Sequence, residues 1–480
     1  MKKQWIKFGI VILLYLLFLL WVKSWWGLLL VPFIYDAYIS KKIPWTWWKK
    51  SKNSAVRTVM SWVDAIVFAL VAVYFVNIYI FQNYQIPTSS LEKSLLVGDY
   101  LFVSKASYGA RVPQTPLSMP LTQHTMPWGG KSYLEWPKWE YKRVAGFGKV
   151  KLNDIVVFNF PAGDTVALNN QAEDFYTIAY REGKRIYPKR INMDSLNRWQ
   201  QRAVFDLYYN AGRQHILGHP EYYGKVITRP VDRRENYVKR CVGLPGDTLQ
   251  IIDGQVYIDG KASENPEDLQ YYYTVKGTGK TLPVEFMQDE LGLSFDDMQY
   301  YKAGATEFLL PLTQKSLSKL LARKDLVTSA KRITSYPDPS LYPQNLHKQW
   351  STEDYGPIWI PKKGETIELN AETLPIYERC IRAYEGNNLE VKGQDIYING
   401  EKTNSYTFKM DYYWMMGDNR DRSLDSRYWG LVPEDNIVGS PAFVVFSVDD
   451  EKGLFGGGMR WNRILSSGNP GKHVVNPEAK

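Results

Sequence analysis

Few residues in this chain have the types and spacing that catalysis needs. Histidine is scarce: His124, His215, His219, His347 and His473. His215 and His219 are spaced to share a helix face, but Ile216-Leu217-Gly218 between them lacks the glutamate of a zinc-protease helix, and Pro220 follows at once. No metal site and no cofactor are expected. Neither a Gly-x-Ser-x-Gly elbow nor a phosphate-binding glycine loop occurs, so a Ser-His-Asp hydrolase has no support. What remains is serine with lysine. Thr88-Ser89-Ser90 forms a small hydroxyl cluster, and Pro87 restricts Ile86 to extended backbone, which puts the cluster at a strand's end. A serine hydroxyl attacks an amide only when something removes its proton, and without a suitable histidine a neutral lysine is the remaining base. Free lysine titrates near ~10.4, and burial can lower this by ~3–5 units. Lys239, flanked by Tyr237, Val238, Cys241 and Val242, lies in a strand-like stretch suited to such burial. On residue types alone, a polar linker at 88–90 and a surface lysine at 239 remain open readings.

The elements that would carry these groups begin with the charge distribution. Residues 1–57 hold ten basic side chains and one acidic one, Asp36, so the whole formal charge of +9 resides there. The other 423 residues carry 49 of each sign and cancel. A nucleic-acid-binding protein shows a basic surface that persists through its fold, so nucleic acid is not an expected partner. Apolar runs cover 8–22, 24–35 and 65–81. A helix crosses the bilayer core with about 17–25 apolar residues, a length the third run meets from about Trp62. The first two runs read either as two short spans or as one span with an interfacial stretch. Lys41, Lys42, Lys49, Lys50, Lys52 and Arg57 lie between the second and third runs without an acidic residue. Such loops stay cytoplasmic, which places everything after residue 81 outside the cytoplasm. Seven of the 17 tryptophans fall in the first 50 residues, as an aromatic belt at headgroup level would require. No small-residue cleavage site follows Val22, so residues 1–81 read as a permanent anchor and not as a removable leader.

From residue 82 the recurring signals are short β-type runs: 100–104, 154–160, 250–258, 389–398 and 437–447. Asp253-Gly254, Asp259-Gly260 and Asn399-Gly400 mark turns. This predicts a mainly β body over 82–452, with insertions at about 106–148, 162–235 and 262–370, and a loose tail over 453–480. Stretches 170–215 and 284–325 read as helical or irregular. Residues 237–261 recur approximately at 376–400, with Cys241 and Cys380 at equivalent positions, which favours two buried thiols over a mutual disulfide. Lys239 corresponds to Glu378, so lysine chemistry belongs to the first copy.

Four blocks, in order, carry a resemblance. Ile86-Pro87-Thr88-Ser89-Ser90 followed by Leu95-Leu96-Val97-Gly98-Asp99 resembles the nucleophile segment of the bacterial type I signal peptidases, peptidase S26 type. Asn153-Asp154-Ile155-Val156-Val157-Phe158 resembles that family's next strand, and Tyr237-Val238-Lys239-Arg240-Cys241-Val242-Gly243-Leu244-Pro245-Gly246-Asp247 its lysine segment. Residues 417–430, Gly417-Asp418-Asn419-Arg420-Asp421-Arg422-Ser423-Leu424-Asp425-Ser426-Arg427-Tyr428-Trp429-Gly430, resemble its last signature. The resemblance implies an antiparallel β catalytic domain with large insertions behind a transmembrane helical anchor. It implies a serine endopeptidase working by a Ser-Lys dyad, with Ser90 as nucleophile, Lys239 as general base and Ser423 orienting the lysine. Ser90 N–H and the Thr88 hydroxyl would form the oxyanion hole, and Asp418, Arg420, Asp425, Arg427 and Arg240 would brace the site. Gln85, Ile86 and Pro87 would pair with the substrate strand. The substrates implied are exported preproteins with small residues at the first and third positions before the cut. The location implied is the plasma (inner) membrane, through a hairpin or multi-pass anchor, with the catalytic domain on the periplasmic side.

Three positions depart from the pattern. Leu91, Lys93 and Ser94 stand where the family usually has Met, Pro and Thr. Two other readings are a self-cleaving repressor-type Ser-Lys peptidase and an anchored scaffold that has lost activity. The insertions offer room for a protein partner under any of them.

Overall fold

The structure, a computed structural model, describes residues 2–189, 191–346, 349–449, 452–453, 456–470 and 474–475. It divides into two compact units, Met1–Gln82 with Ser104–Lys149, and Asn83–Val103 with Val150–Lys480.

The first unit contains helix α1 (Lys2–Val22) and helix α2 (Ser54–Tyr79), both long and apolar enough to cross a membrane. The second apolar run forms only a shorter apolar helix, Trp26–Ser40. Helix α2 starts at Asn53, whose side chain accepts from the Ala55 N–H at 2.9 Å and so satisfies one of the orphan donors of the first turn. Residues 105–149 are mostly irregular, tied by isolated bridges such as Arg111 with Arg143 and Ser118 with Tyr133. Ala110, Val112 and Val144 are buried with Val22, beside Phe18, Trp21 and Tyr79.

The second unit is mainly β. Its largest sheet has seven strands: β1 (Phe81–Gln85), β2 (Asp99–Ser104), β3 (Ile155–Asn159), β4 (Asn236–Gly243), β5 (Tyr412–Met416), β6 (Val432–Pro433) and β7 (Ile437–Ser447). The spatial order is β1-β2-β7-β3-β4-β5-β6. The pairs β7–β3, β3–β4, β4–β5 and β5–β6 are antiparallel, with Val156 opposite Lys239 and Met416 opposite Arg240. One core holds Ile86, Leu91, Leu95, Leu101, Ile155 and Val157. A second gathers Leu249, Ile251, Tyr355, Ile358, Trp414 and Met416. Burying such residues contributes about 1.5–3 kcal/mol each, which fixes β1 and the turn after it against the sheet.

The turn residues behave as expected. Asp253 and Gly254 have φ of 49° and 77°, as a type I′ hairpin turn requires, and connect strands Thr248–Ile252 and Gln255–Ile258. Among the insertions, helices α3 (Phe175–Ile186) and α4 (Arg198–Gly218) cross where Gly183 meets the Tyr208 carbonyl, a contact that leaves no room for a Cβ.

Three readings change. The region 284–325 is not wholly helical or irregular. Strand Glu307–Thr313 pairs with Gln270–Gly277, which also pairs with Val327–Arg332, and helix α5 (Gln314–Ala322) follows. The proposed second copy repeats only the hairpin. Its residues 376–379 lie in helix Leu374–Arg379, because Leu374 and Tyr377 bury one helical face and Glu378 turns outward to Arg202 at 2.7 Å. Within the stretch read as a loose tail, Arg463 is tied to Asp99, and Asn469 Oδ1 accepts from the Ile155 N–H at 2.8 Å. Cys241 and Cys380 are separate buried thiols.

Candidate active site

Ser90 sits in a single helical turn, Ser89–Leu91, directly after β1 and Pro87. Ile86 anchors the approach: its N–H donates to the Asp99 carbonyl at 2.9 Å and its carbonyl accepts from Gly98 at 3.0 Å. Leu91 and Leu95 are buried on the far side. In so short a turn the Ser90 N–H has no intrahelical acceptor. Ser90 is 7% exposed, Ser89 is half-buried and Thr88 is exposed.

Lys239 lies on β4, against which this turn packs. It is 3% exposed. Burial pushes its amine down to about 8; Asp425 and Asp418 favour the charged form, whereas Arg427 opposes it. At pH 7 roughly a tenth of such amines are neutral, against well under a thousandth for an exposed lysine.

Residues 417–430 close the site from the end of β5. A Cβ on Gly417 would lie 2.5 Å from the Ser90 carbonyl oxygen and would also strike the Ser423 hydroxyl, so glycine is what lets the three segments meet. Asn419 then clamps the turn, its N–H donating to the Ser90 carbonyl at 3.1 Å and its amide to the Ser89 carbonyl at 3.1 Å. Ser423 is 5% exposed, and its hydroxyl lies 3.5 Å from the Leu424 carbonyl. Asp425 is fully buried and accepts two bonds from Arg427, at 2.9 and 2.8 Å. Burial works against the Asp425 charge, but the Arg427 guanidinium outweighs it and holds the carboxyl below its usual range. Arg427 also donates to the Arg420 carbonyl at 2.6 Å.

Beside this lies a second buried pair. Arg240 Nε and Nη2 reach Asp418 at 2.8 and 2.7 Å, with both side chains at 0–1% exposure. Ser94 donates to the same carboxylate at 2.6 Å. Burial alone would raise Asp418, yet Arg240 keeps it lowered. Arg420 is turned away, donating from Nε to the Gly417 carbonyl at 3.2 Å.

Ser90, Lys239, Ser423 and Asp425 thus share one buried neighbourhood, with Arg240 and Asp418 next to it. Gln85, Pro87 and Thr88 are exposed. Residue types alone did not point to Asn419 as a partner of the turn or to Ser94 as a partner of Asp418, since both act through bonds spanning more than 300 residues. The available signal was the position of Asn419 inside a matched block and of Ser94 between two of them.

A mainly β unit in which the turn bearing Ser90 packs on the strand of a buried lysine, in a chain with two apolar N-terminal helices, is compatible with a serine peptidase. Comparison with known proteins gives the family. The signal peptidase family, peptidase S26, matches residues 59–290 and 360–446, and the chain belongs to it. It is similar to "Signal peptidase I" of Haemophilus influenzae, 22% identical over 429 residues, covering 87% of this chain and 78% of that protein. Its similarity to "Signal peptidase I" of Buchnera aphidicola from Acyrthosiphon pisum is 22% over 397 residues, covering 82% and 77%. A shorter match, 36% over 115 residues, links it to "Signal peptidase I" of Helicobacter pylori J99, covering 24% and 39%. The protein is a peptidase that removes signal peptides.

Proposed function

We propose that Ser90 is the nucleophile and Lys239 the general base of this signal peptidase. The observation that carries the proposal is the burial of Lys239, which brings its amine to about 8, against the turn that holds Ser90. The neutral amine takes the Ser90 proton as Oγ attacks the scissile carbonyl. The resulting oxyanion is held by the Ser90 N–H and the Thr88 hydroxyl. The Lys239 ammonium then protonates the leaving amine, and water, deprotonated by the same lysine, releases the acyl group. Ser423 orients the amine. The Arg427–Asp425 and Arg240–Asp418 pairs brace the loops that carry these groups, and Arg420 ties the Gly417 backbone.

The substrate adds as a strand at β1. The backbone groups of Ile86 are already bonded to the adjoining chain, so alternation directs those of Gln85, and the Pro87 carbonyl, to the open edge. Its small side chains at the first and third positions before the cut enter shallow pockets. Helices α1 and α2 anchor the chain as a hairpin in the plasma (inner) membrane. The basic loop within 40–57 faces the cytoplasm and the catalytic body lies on the periplasmic side. Ser90 follows the end of α2 by only eleven residues, which suits substrates still tethered by their signal sequences.

The test is cleavage of a preprotein bearing an Ala-x-Ala site by the detergent-solubilised protein. Ser90→Ala and Lys239→Ala should each abolish cleavage with the fold retained. Cleavage surviving in either folded variant ends the Ser-Lys proposal.

A further inference from the structure

The inserted segment 270–332 has a core of its own, with Val275, Leu310, Leu312, Leu320 and Met287 buried between its three strands and α5. Arg332 and Tyr271 tie it to the Asp253-Gly254 turn and Glu353, and its other attachments fall on the two loops that meet at the site. From the nucleophile loop, Lys93 Nζ donates to the Leu291 carbonyl at 3.3 Å and approaches the Ser316 hydroxyl at 3.5 Å. From the loop bearing Ser423, Arg422 Nη1 reaches Asp297 at 3.3 Å and Nη2 is paired with Asp296. The Tyr272 N–H donates to Asp421 at 2.7 Å and the Gln270 N–H to the Asp418 carbonyl at 3.0 Å.

Two features single out Asp297. It is completely buried, and it receives Arg422 from the Ser423 loop while Lys93 of the nucleophile loop is fastened to the same insertion. Lys93, three residues after Ser90, has φ of 72°, a left-handed conformation uncommon for a residue with a side chain. Its side chain is fastened to the insertion, so the chain just past the nucleophile is tied to it.

We infer that the insertion is a positioning device for catalysis: by pairing Asp297 with Arg422 and fastening Lys93, it sets the Ser90 turn relative to the Ser423 loop. Lys93, Asp297 and Arg422 are positioning residues, and the inference rests on the roles proposed for Ser90 and Ser423. A shift of about 1 Å between reacting groups can cost ~100-fold in rate. Looser tethering should therefore slow chemistry without weakening substrate binding.

The experiment is single-turnover preprotein cleavage by saturating full-length protein, whose rate constant does not depend on the folded fraction, with KM taken from steady-state assays alongside. Asp297→Asn should lower it about tenfold, with KM within about twofold of wild type. Should Asp297→Asn not fold, Arg422→Gln tests the same link and should lose about fivefold, whereas Arg422→Lys, which keeps the charge, should retain most of the rate. Asp325→Asn, which removes only an exposed pair with Arg323 in the same insertion, should leave the rate unchanged. Wild-type rates in Asp297→Asn or Arg422→Gln, or an equal loss in Asp325→Asn, overturn the inference. Ser90→Ala assayed alongside separates the cases. If it still cleaves, the nucleophile assignment fails and this inference with it; if it is dead while Asp297→Asn and Arg422→Gln match wild type, only the positioning role fails.

Discussion

Replacing Lys239 by methionine should abolish catalysis and yet stabilise the protein at neutral pH. The Lys239 amine is moved by burial from 10.5 in an exposed chain to about 8 in the folded one, with Asp425 and Asp418 opposing the shift and Arg427 adding to it. Between these two values the unfolded chain binds more protons than the folded one, so stability rises with pH across the window. Below about 8 the folded state bears the full penalty of the charged or deprotonated amine. At pH 7 that penalty is about 3 kcal/mol, and at pH 9.5 about 1 kcal/mol. Methionine has nearly the same length and no charge, so Lys239→Met removes the penalty while filling the same space. The assay is urea unfolding of wild type and variant in detergent, followed by tryptophan fluorescence. The variant should be more stable by about 3 kcal/mol at pH 7, and the gap should narrow by about 2 kcal/mol at pH 9.5. A gap that stays constant with pH, or a variant less stable than wild type at pH 7, would refute the reasoning, because Lys239 would then not be a buried amine of depressed pKa.

Three further outcomes are expected. Gly417→Ala should reduce cleavage sharply in protein that still folds, since the new methyl group meets the Ser90 carbonyl and the Ser423 hydroxyl; steady-state kinetics checks this. Thr88→Ala should lower kcat by ~100–1,000-fold with little change in KM, whereas Thr88→Ser should keep most of the rate, as a hydroxyl donor to the oxyanion requires. Arg240→Met should cost about 3–5 kcal/mol in urea unfolding, because it strands a fully buried Asp418, and Arg240→Met combined with Asp418→Leu should recover much of that loss.

What could be read from the residues followed from how local the physics is. The Asp253-Gly254 and Asn399-Gly400 turns were legible because their left-handed backbone demands those residues. The strand at 437–447 was legible from its composition. Ser90, Lys239 and Ser423 could be put forward for the candidate site because each sits in a short contiguous block that resembles the family's motifs. Residues 376–379 misled because a strand-like pattern of apolar residues also fits one face of a helix, and packing of Leu374 and Tyr377 decided between them. The insertion's sheet was hidden for a similar reason, since Glu307–Thr313 contains Pro311 and pairs with a strand more than 30 residues earlier. The tether of Lys93 to residues near 291–316 depends on charges brought together only by tertiary folding, which no local pattern encodes.

The central claim is that a neutral Lys239 activates Ser90 and not the adjacent Ser89. Its most direct test is the site of covalent acylation, read by intact mass and peptide mapping after reaction with a serine-acylating reagent at pH 8. One acyl group should appear on Ser90 in the wild-type protein, and none in Lys239→Met. Acylation of Ser89, or undiminished acylation of Ser90 in folded Lys239→Met, would contradict the account.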